Sequence, residues 1–240
     1  MTTLFISDLH LEADRPDIGD QFLALLRGEA QDAEALYILG DFFEAWVGDD
    51  DPDEHYAVIK KSLRTLVDRG VPVYFMHGNR DFMIGEKFAE ETGVTILADP
   101  CPIEFYGKRV LLSHGDALCV DDVEYQQVRA MTRNPEWQAM MLAKPLEERL
   151  AIAKHARAQS VARNATLDEE IMDVNAEEVC KVIGEHGVDI LLHGHTHRPG
   201  IHAVEVDDRI ARRVVLGDWY EQGSVLRWDE DGMVLSELPR

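Results

Sequence analysis

The sequence predicts an α/β fold in which strands buried on both faces alternate with helices. Short, nearly continuous apolar runs, each followed at once by small or polar residues, lie at 3–7, 35–39, 72–76, 109–113 and 188–192. Apolar residues at helical spacing lie between several of these runs, at 19–28, 53–69 and 175–186. Apolar strands that alternate with helices are typical of a sheet covered by helices.

Beyond residue 200 the pattern changes to β-type runs separated by short turns. The runs lie at 201–206, 213–216, 224–228 and 233–235. Aspartates and an Asp-Gly pair separate them, as in chains that turn back on themselves. We therefore expect an antiparallel meander that forms or completes a second sheet.

Residues 119–167 predict a helical insertion after the strand at 109–113. Helix-forming residues dominate it, with apolar side chains at Val128, Met131, Trp137, Met140, Met141, Leu146, Leu150 and Ile152. The segment has seven basic and six acidic side chains, whereas the whole chain has a net charge of −22. This change in composition predicts a core in two parts, 1–118 and 168–240, interrupted by the insertion 119–167.

Composition excludes several classes of protein. A chain of 240 residues, 45% of them hydrophobic, can bury a full core. The strongly acidic balance argues against a nucleic-acid partner, and no apolar window is long enough to span a membrane. The N-terminus lacks the basic start of a signal peptide, and the three cysteines do not form a disulfide pattern. We expect a cytoplasmic monomer.

Five short motifs follow predicted strands. They are Asp8-Leu9-His10, Gly40-Asp41-Phe42-Phe43-Glu44, Gly78-Asn79-Arg80-Asp81, His114-Gly115-Asp116 and Gly194-His195-Thr196-His197. Alone, Asp-x-His would pass as a helix cap or a surface loop and Gly-Asn-Arg-Asp as a turn, whereas His-x-His at a strand end already suggests a metal. Strand ends of open α/β sheets converge on ligands, and glycine lets the backbone approach a ligand closely. Together the motifs therefore indicate one site.

The motifs supply carboxylate, amide and imidazole groups in a combination that suits Mn²⁺, Fe²⁺ or Zn²⁺ at a catalytic site. The candidate ligands are Asp8, His10, Asp41, Asn79, His114, His195 and His197. Seven ligands are too many for one ion but fit two ions roughly 3.5–4 Å apart that share a carboxylate. We expect Asp41 to be that bridge. Asp8, His10 and His197 would then hold one ion, and Asn79, His114 and His195 the other.

The other histidines are expected to have structural roles. His55, His155, His186 and His202 lie outside the motifs. His77 and His193 adjoin candidate ligands and are expected to support them rather than to coordinate. Asp81 and Asp116 are expected to orient ligands in the same way.

The five motifs resemble those of the calcineurin-like metallophosphoesterase superfamily over residues 8–197. The resemblance implies an αββα sandwich of two mixed sheets and a hydrolase with two divalent cations, Mn²⁺ being the expected metal. Arg80 stands where the superfamily usually has a histidine that protonates the leaving group. Arginine cannot act as a general acid, but it can bind phosphate and stabilise charge that develops on it. A pyrophosphate bond, whose leaving group departs as an anion, therefore suits this site better than a simple alkyl ester.

Three stretches resemble the UDP-2,3-diacylglucosamine hydrolases of lipid A biosynthesis: Gly-Asn-Arg-Asp, residues 44–50 and residues 171–175. The resemblance implies attack of water on the α-phosphate of the UDP group, giving UMP and 2,3-diacylglucosamine 1-phosphate. It implies catalytic roles for Asn79, Arg80 and His195. It implies that these three residues also contact the substrate together with Asp122, Tyr125, Ser160 and Asn164.

The insertion resembles the lid of that family, which encloses acyl chains. Basic residues of the lid would meet anionic lipids and place the protein peripherally on the cytoplasmic face of the inner membrane. The apolar side chains Met131, Trp137, Met140 and Met141 could line an acyl groove or form the lid's own core.

Two alternative functions stay open at this point. The chain could be another dimetal phosphoesterase, such as a cyclic-nucleotide phosphodiesterase or a phosphoprotein phosphatase, although Arg80 and the helical insertion argue against both. It could also be a scaffold that has lost its chemistry, although the complete set of candidate ligands argues against that.

Overall fold

The computed structural model describes residues 2–164, 171 and 173–239. The strands are β1 (Thr3–Ile6), β2 (Ala35–Leu39), β3 (Val73–Met76), β4 (Thr95–Leu97), β5 (Cys101–Phe105), β6 (Lys108–Leu112), β7 (Ile190–His193), β8 (Gly200–Val206), β9 (Arg209–Val215), β10 (Gly223–Asp229) and β11 (Gly232–Leu238). The α-helices are α1 (Pro16–Arg27), α2 (Glu54–Asp68), α3 (Glu86–Thr92), α4 (Val123–Thr132), α5 (Pro135–Leu142), α6 (Leu146–Asn164) and α7 (Ala176–His186). The predicted alternation of strands and helices in the first 113 residues is present.

The strands form two mixed sheets. The first has the order β11-β10-β1-β2-β3-β4, in which β1 to β4 are parallel and β10 pairs antiparallel with β1. The second has the order β5-β6-β7-β9-β8, in which β6, β7 and β9 are parallel and both edge strands are antiparallel. The predicted fold class, an α/β sandwich of two mixed sheets, is confirmed.

Three apolar cores account for the layers. The inner core lies between the sheets and contains Phe5, Leu39, Leu112, Leu192 and Trp228. The outer face of the first sheet packs against α1, α2 and α3, and the outer face of the second packs against α7. Along β6, Leu111 faces α7 and its neighbour Leu112 faces the inner core. Burial on both faces explains why these strands read as continuous apolar runs.

The C-terminal strands differ from the expected meander. Only β8 and β9 complete the second sheet, whereas β10 and β11 join the first sheet beside β1. The expectation that all four runs belong to a second sheet is therefore wrong for the last two. Alternation of apolar and polar residues predicts a strand, but packing between distant segments determines which strand pairs with it. The short elements α3, β4 and β5 were also not predicted.

Three helices, α4 to α6, occupy the predicted insertion. Their apolar residues divide into two groups. Met141 is buried, and Trp137 and Ile152 pack against the core of the first sheet. Val128, Met131, Met140 and Leu150 are exposed. No helix in the described part of the chain is long and apolar enough to cross a membrane. The exact boundaries at 119 and 167 stay a prediction.

Candidate metal centre

The five motifs converge at one edge of the two sheets. Parallel pairing of β1, β2 and β3, and of β6 with β7, brings the carboxyl ends of these strands to the same end of the sandwich. Five candidate ligands have left-handed backbone conformations, with φ of 55° at Asp8, 49° at Asp41 and 67° at His195, and similar values at His10 and His197. This conformation costs about 1 kcal/mol or more for a residue with a Cβ, and such strain clusters at functional sites.

The first group of side chains contains Asp8, His10 and His197. Nε2 of His197 lies 3.4 Å from Oδ1 of Asp8 and 3.4 Å from Nε2 of His10. One ligand atom from each of the three residues lies within 4.8 Å of the others. Two imidazole nitrogens and a carboxylate oxygen at this spacing can hold one cation.

The second group contains Asp41, His114 and His195, whose ligand atoms also lie within 4.8 Å of one another. Nε2 of His114 lies 3.6 Å from Oδ1 of Asp41 and 3.0 Å from Oδ1 of Asn79. The other oxygen of Asp41 faces the first group, 3.9 Å from Nε2 of His10. Asp41 therefore lies between the groups, as the sequence predicts for a bridging carboxylate, and Asn79 lies beside the second group.

Gly40 allows the loops after β2, β3 and β6 to pack closely. Its φ is +90°, and a Cβ at this position would lie 2.6 Å from Nδ1 of His114 and 2.7 Å from Cα of Gly78. Any side chain here would push apart the loops that carry Asp41, Asn79 and His114. The prediction that a motif glycine permits close backbone approach applies here most directly.

Carboxylates and an aromatic ring contact the imidazoles of the first group, the carboxylates at the Nδ1 atoms that do not face the other candidate ligands. Nδ1 of His10 lies 3.0 Å from Oε2 of Glu44, and Nδ1 of His197 lies 3.4 Å from Oδ2 of Asp218. The ring of Tyr220 stacks on His10, with 5.0 Å between centroids. Carboxylates behind imidazoles fix their orientation and increase their basicity toward a metal.

Asp81 and Asp116 each hold protein groups near the centre. Asp81 accepts hydrogen bonds from the backbone N–H of Gly78 at 2.7 Å and of Phe42 at 2.8 Å, so it joins two ligand loops. Burial, together with the charge of Asp41, raises the pKa of Asp81 to about 6. Asp116 accepts from the hydroxyl of Tyr125 at 2.8 Å and from Nε of Arg129 at 2.9 Å.

The centre buries more carboxylates than its arginines neutralise. Asp8, Asp41, Asp81 and Asp116 are all nearly inaccessible to solvent. Arg129 pairs with Asp116, but Oδ1 of Asp8 is buried and has no hydrogen-bond partner among the described residues. Burying a carboxylate costs several kcal/mol unless an opposite charge compensates it. The donor types and the excess of buried carboxylates over arginines therefore fit two divalent cations.

The pKa values of the two histidines of the second group are shifted in opposite directions. Burial alone would lower the pKa of His114, but the charges of Asp41, Asp116 and Asp8 raise it to about 9. Burial, reinforced by the charge of His114, lowers the pKa of His195 to about 4. A neutral His195 has a nitrogen lone pair available for coordination.

Arg80 lies at the rim of the centre. Its backbone N–H donates to Oδ1 of Asp41 at 2.8 Å, and its Nε lies 4.0 Å from Oδ2 of the same carboxylate. The side chain is mostly buried, and its Nε has no hydrogen-bond partner among the described residues. A guanidinium in this position can meet an anionic ligand held between the two groups.

Helix α4 brings one predicted substrate contact next to the centre. The ring of Tyr125 lies 5.9 Å from that of His195, and its hydroxyl bonds Asp116. Asp122 caps the N-terminus of α4, because its side chain accepts a hydrogen bond from the backbone N–H of Tyr125 at 2.9 Å. Both oxygens of Asp122 also pair with Arg163. Ser160 is half-buried on α6, and the side chain of Asn164 lies outside the described residues. The structure thus places Tyr125 beside the centre and joins Asp122 to α6.

The sequence model of calcineurin-like phosphoesterases matches residues 1–199, which include all five motifs. The chain belongs to the calcineurin-like phosphoesterase family. It is 53% identical over 247 aligned residues to a UDP-2,3-diacylglucosamine hydrolase of Stenotrophomonas maltophilia, covering 100% of both chains. It is 52% identical to the protein of that name from Xanthomonas oryzae pv. oryzae, covering 99% of both. The insertion is thus part of what these relatives share with this phosphoesterase.

Some residues around the centre of this phosphoesterase were not predicted. Asp218 and Tyr220 follow β9, and Arg157 of α6 lies 2.6 Å from Glu44 through its Nε. Gly217-Asp218 follows an apolar strand just as Gly40-Asp41 does, so the same signal could have identified Asp218. Sequence gives no comparable signal for Arg157, because its partner lies more than a hundred residues away.

The histidines beside the motifs have structural roles, as predicted. Nε2 of His77 bonds the carbonyl of Ile84 at 2.8 Å, and Nδ1 of His193 bonds the carbonyl of Gly194 at 2.8 Å. Burial lowers the pKa of His193 to about 4, so this side chain stays neutral.

Proposed function

We propose that this chain hydrolyses the pyrophosphate bond of UDP-2,3-diacylglucosamine, releasing UMP and 2,3-diacylglucosamine 1-phosphate for lipid A biosynthesis. The observation that carries the proposal is the 53% identity to a hydrolase of that name over the full length of both chains. Such identity extends through the insertion as well as the centre. It therefore favours the same substrate and not merely the same type of reaction.

The seven predicted ligands hold two cations, for which we propose Mn²⁺. Asp8, His10 and His197 hold one, Asn79, His114 and His195 hold the other, and Asp41 serves both. When bound, the two cations supply Lewis acidity toward the phosphoryl oxygens and lower the pKa of the attacking water. The protein's contribution is to hold these side chains at fixed spacing before the substrate arrives.

Asn79, Arg80 and His195 contact the reacting phosphate. The guanidinium of Arg80 neutralises charge that develops on the phosphoryl oxygens in the transition state. It remains protonated throughout, so the leaving phosphate departs as an anion without receiving a proton from this position. That limitation suits a pyrophosphate and explains why an arginine can replace the usual histidine.

The insertion binds the diacylglucosamine end of the substrate. Its exposed apolar residues, including Val123, Met131 and Met140, supply contacts for acyl chains. Asp122, Tyr125, Ser160 and Asn164 contact the sugar phosphate. A monomer resting peripherally on the cytoplasmic face of the inner membrane would meet its lipid substrate there.

The test compares two substrates in detergent micelles: UDP-2,3-diacylglucosamine, followed by UMP release, and a simple aryl phosphate. Protein stripped of metal should be inactive on the lipid, and Mn²⁺ should restore activity. Replacing Arg80 by alanine should lower kcat by about 10²-fold or more, the scale typical of losing one transition-state donor. The matched control is Arg64→Ala, which removes an exposed arginine of α2.

Hydrolysis of the aryl phosphate without any hydrolysis of the lipid would reject the substrate and leave the alternative, another dimetal phosphoesterase. Comparable rates on an alkyl phosphate ester and on the nucleotide lipid would reject the role given to Arg80.

A further inference from the structure

The substrate has two ends, and the insertion accounts for only one of them. Every contact of α4 with the centre lies on the side of the second group. Tyr125 approaches His195, Arg129 pairs with Asp116, and Arg133 donates to the carbonyl of Gly78 at 2.9 Å. If the lipid end lies under α4, the nucleoside end would extend from the reacting phosphate toward the first group, where α6 also reaches the centre through Arg157 and Glu44.

A cleft of about 540 Å³ lies beside the first group. One wall is the loop at 217–224, and the other is formed by Leu235, Ser236 and Glu237 of β11. The loop also touches the candidate ligands: Asp218 lies 3.4 Å from Nδ1 of His197, and Tyr220 stacks on His10. The cleft therefore shares Asp218 and Tyr220 with the surroundings of the first group.

The lining chemistry favours a neutral polar ligand. Three carboxylates, those of Asp218, Glu221 and Glu237, line the cleft together with the amide of Gln222. Among the described residues that line it, none is lysine or arginine. A phosphate would be repelled here and would stay between the cations and Arg80. Carboxylates suit the hydroxyls of a ribose, and an amide pairs with the edge of a base.

We propose that this cleft binds the nucleoside of the substrate, with Gln222 on the base and the acidic side chains on the ribose. The proposal rests on the proposed function for the position of the lipid end. The volume of the cleft lies within the range of small-molecule sites. Three of its polar side chains, those of Asp218, Glu221 and Gln222, lie on the loop that contacts His10 and His197. The cleft thus distinguishes a nucleoside diphosphate lipid from other lipid phosphates.

The experiment measures binding of UMP and of ribose 5-phosphate to the Mn²⁺-loaded protein by titration calorimetry. Both ligands offer the same phosphate, so their difference reports the base and not capture of phosphate by the metal. UMP should bind about tenfold more tightly, near the upper limit for one neutral hydrogen-bonded contact. Gln222→Ala should remove most of this difference. Gln222 is exposed, so the variant should unfold at the same temperature as the wild type.

Glu104→Gln serves as the control, because Glu104 is exposed on β5 at the opposite edge of the second sheet. Its preference for UMP should equal that of the wild type. Equal affinities for UMP and ribose 5-phosphate in the wild type would overturn the proposal. So would an unchanged preference in Gln222→Ala.

Turnover separates this proposal from the one on which it rests. A wild type that prefers UMP but fails to hydrolyse UDP-2,3-diacylglucosamine rejects the proposed substrate and supports the cleft. A wild type that hydrolyses the lipid but shows no preference for UMP rejects the cleft alone.

Discussion

The metal centre and the helical insertion are built in opposite ways. The centre consists of buried polar side chains on short loops whose strained backbone is fixed by two sheets. The insertion consists of helices with exposed apolar side chains, and arginines join it to acidic residues of the core. The difference is that two sheets hold the candidate ligands in place, whereas the insertion leaves apolar side chains exposed, where we propose that a large ligand binds.

Three arginines of the insertion show how the two regions are joined. Arg129 of α4 pairs with Asp116 beside His114, and Arg157 of α6 pairs with Glu44 behind His10. Arg149, also of α6, is almost fully buried and bonds both Asp50 and the carbonyl of Val47. Two of these three contacts end on a residue that supports or adjoins a candidate ligand. Docking of the insertion and order in the centre should therefore be coupled.

The largest effect is expected from the shared carboxylate of the centre. Asp41→Asn keeps the shape of the side chain but removes the charge that faces both groups. We expect activity to fall about 10³-fold or more, beyond the roughly 10–100-fold typical of a partner that only supports a ligand. The bound Mn²⁺ per chain, measured after gel filtration, should fall below two. Asp208→Asn, in an exposed turn, is the control. Retention of two tightly bound ions would contradict the bridging role.

A smaller effect is expected where the two regions meet. Glu44→Gln keeps a polar group beside His10 but removes the charge that also holds Arg157. Metal affinity should fall by about 10–100-fold, as for other supporting partners. Titration of metal-free protein with Mn²⁺ measures this, with Glu54→Gln on α2 as the control. An unchanged affinity would show that Glu44 serves only to dock α6.

The smallest effect on the chemistry is expected from the insertion's own anchor. Arg149→Met keeps the apolar stem and removes the bonds to Asp50 and Val47. The insertion should be cleaved faster by protease, and kcat/KM for the lipid substrate should fall more than that for an aryl phosphate. We expect about a tenfold change in their ratio, equivalent to about 1.4 kcal/mol. Lys154→Met, on the same helix, is the control. Equal losses on both substrates would show that α6 acts on the centre itself.

The sequence predicted the centre more completely than its surroundings. Each predicted ligand lies one to five residues beyond a strand, so sequence order and parallel pairing were enough to bring all seven together. The supporting groups Asp218, Tyr220 and Arg157 were missed because contacts between distant segments place them. Tyr125 was predicted to meet substrate, and its hydrogen bond to Asp116 became visible only in three dimensions.

The sequence by itself determined the alternation of buried strands and helices, the ligand types and the replacement of the usual acid by Arg80. These features are local, since they depend on side-chain chemistry and on short-range periodicity. Only the tertiary structure decided that β10 and β11 join the first sheet, and that the loop before β10 lies against His10 and His197. Strand partners and loop positions depend on the burial of apolar faces across the whole molecule, which no short stretch of sequence specifies.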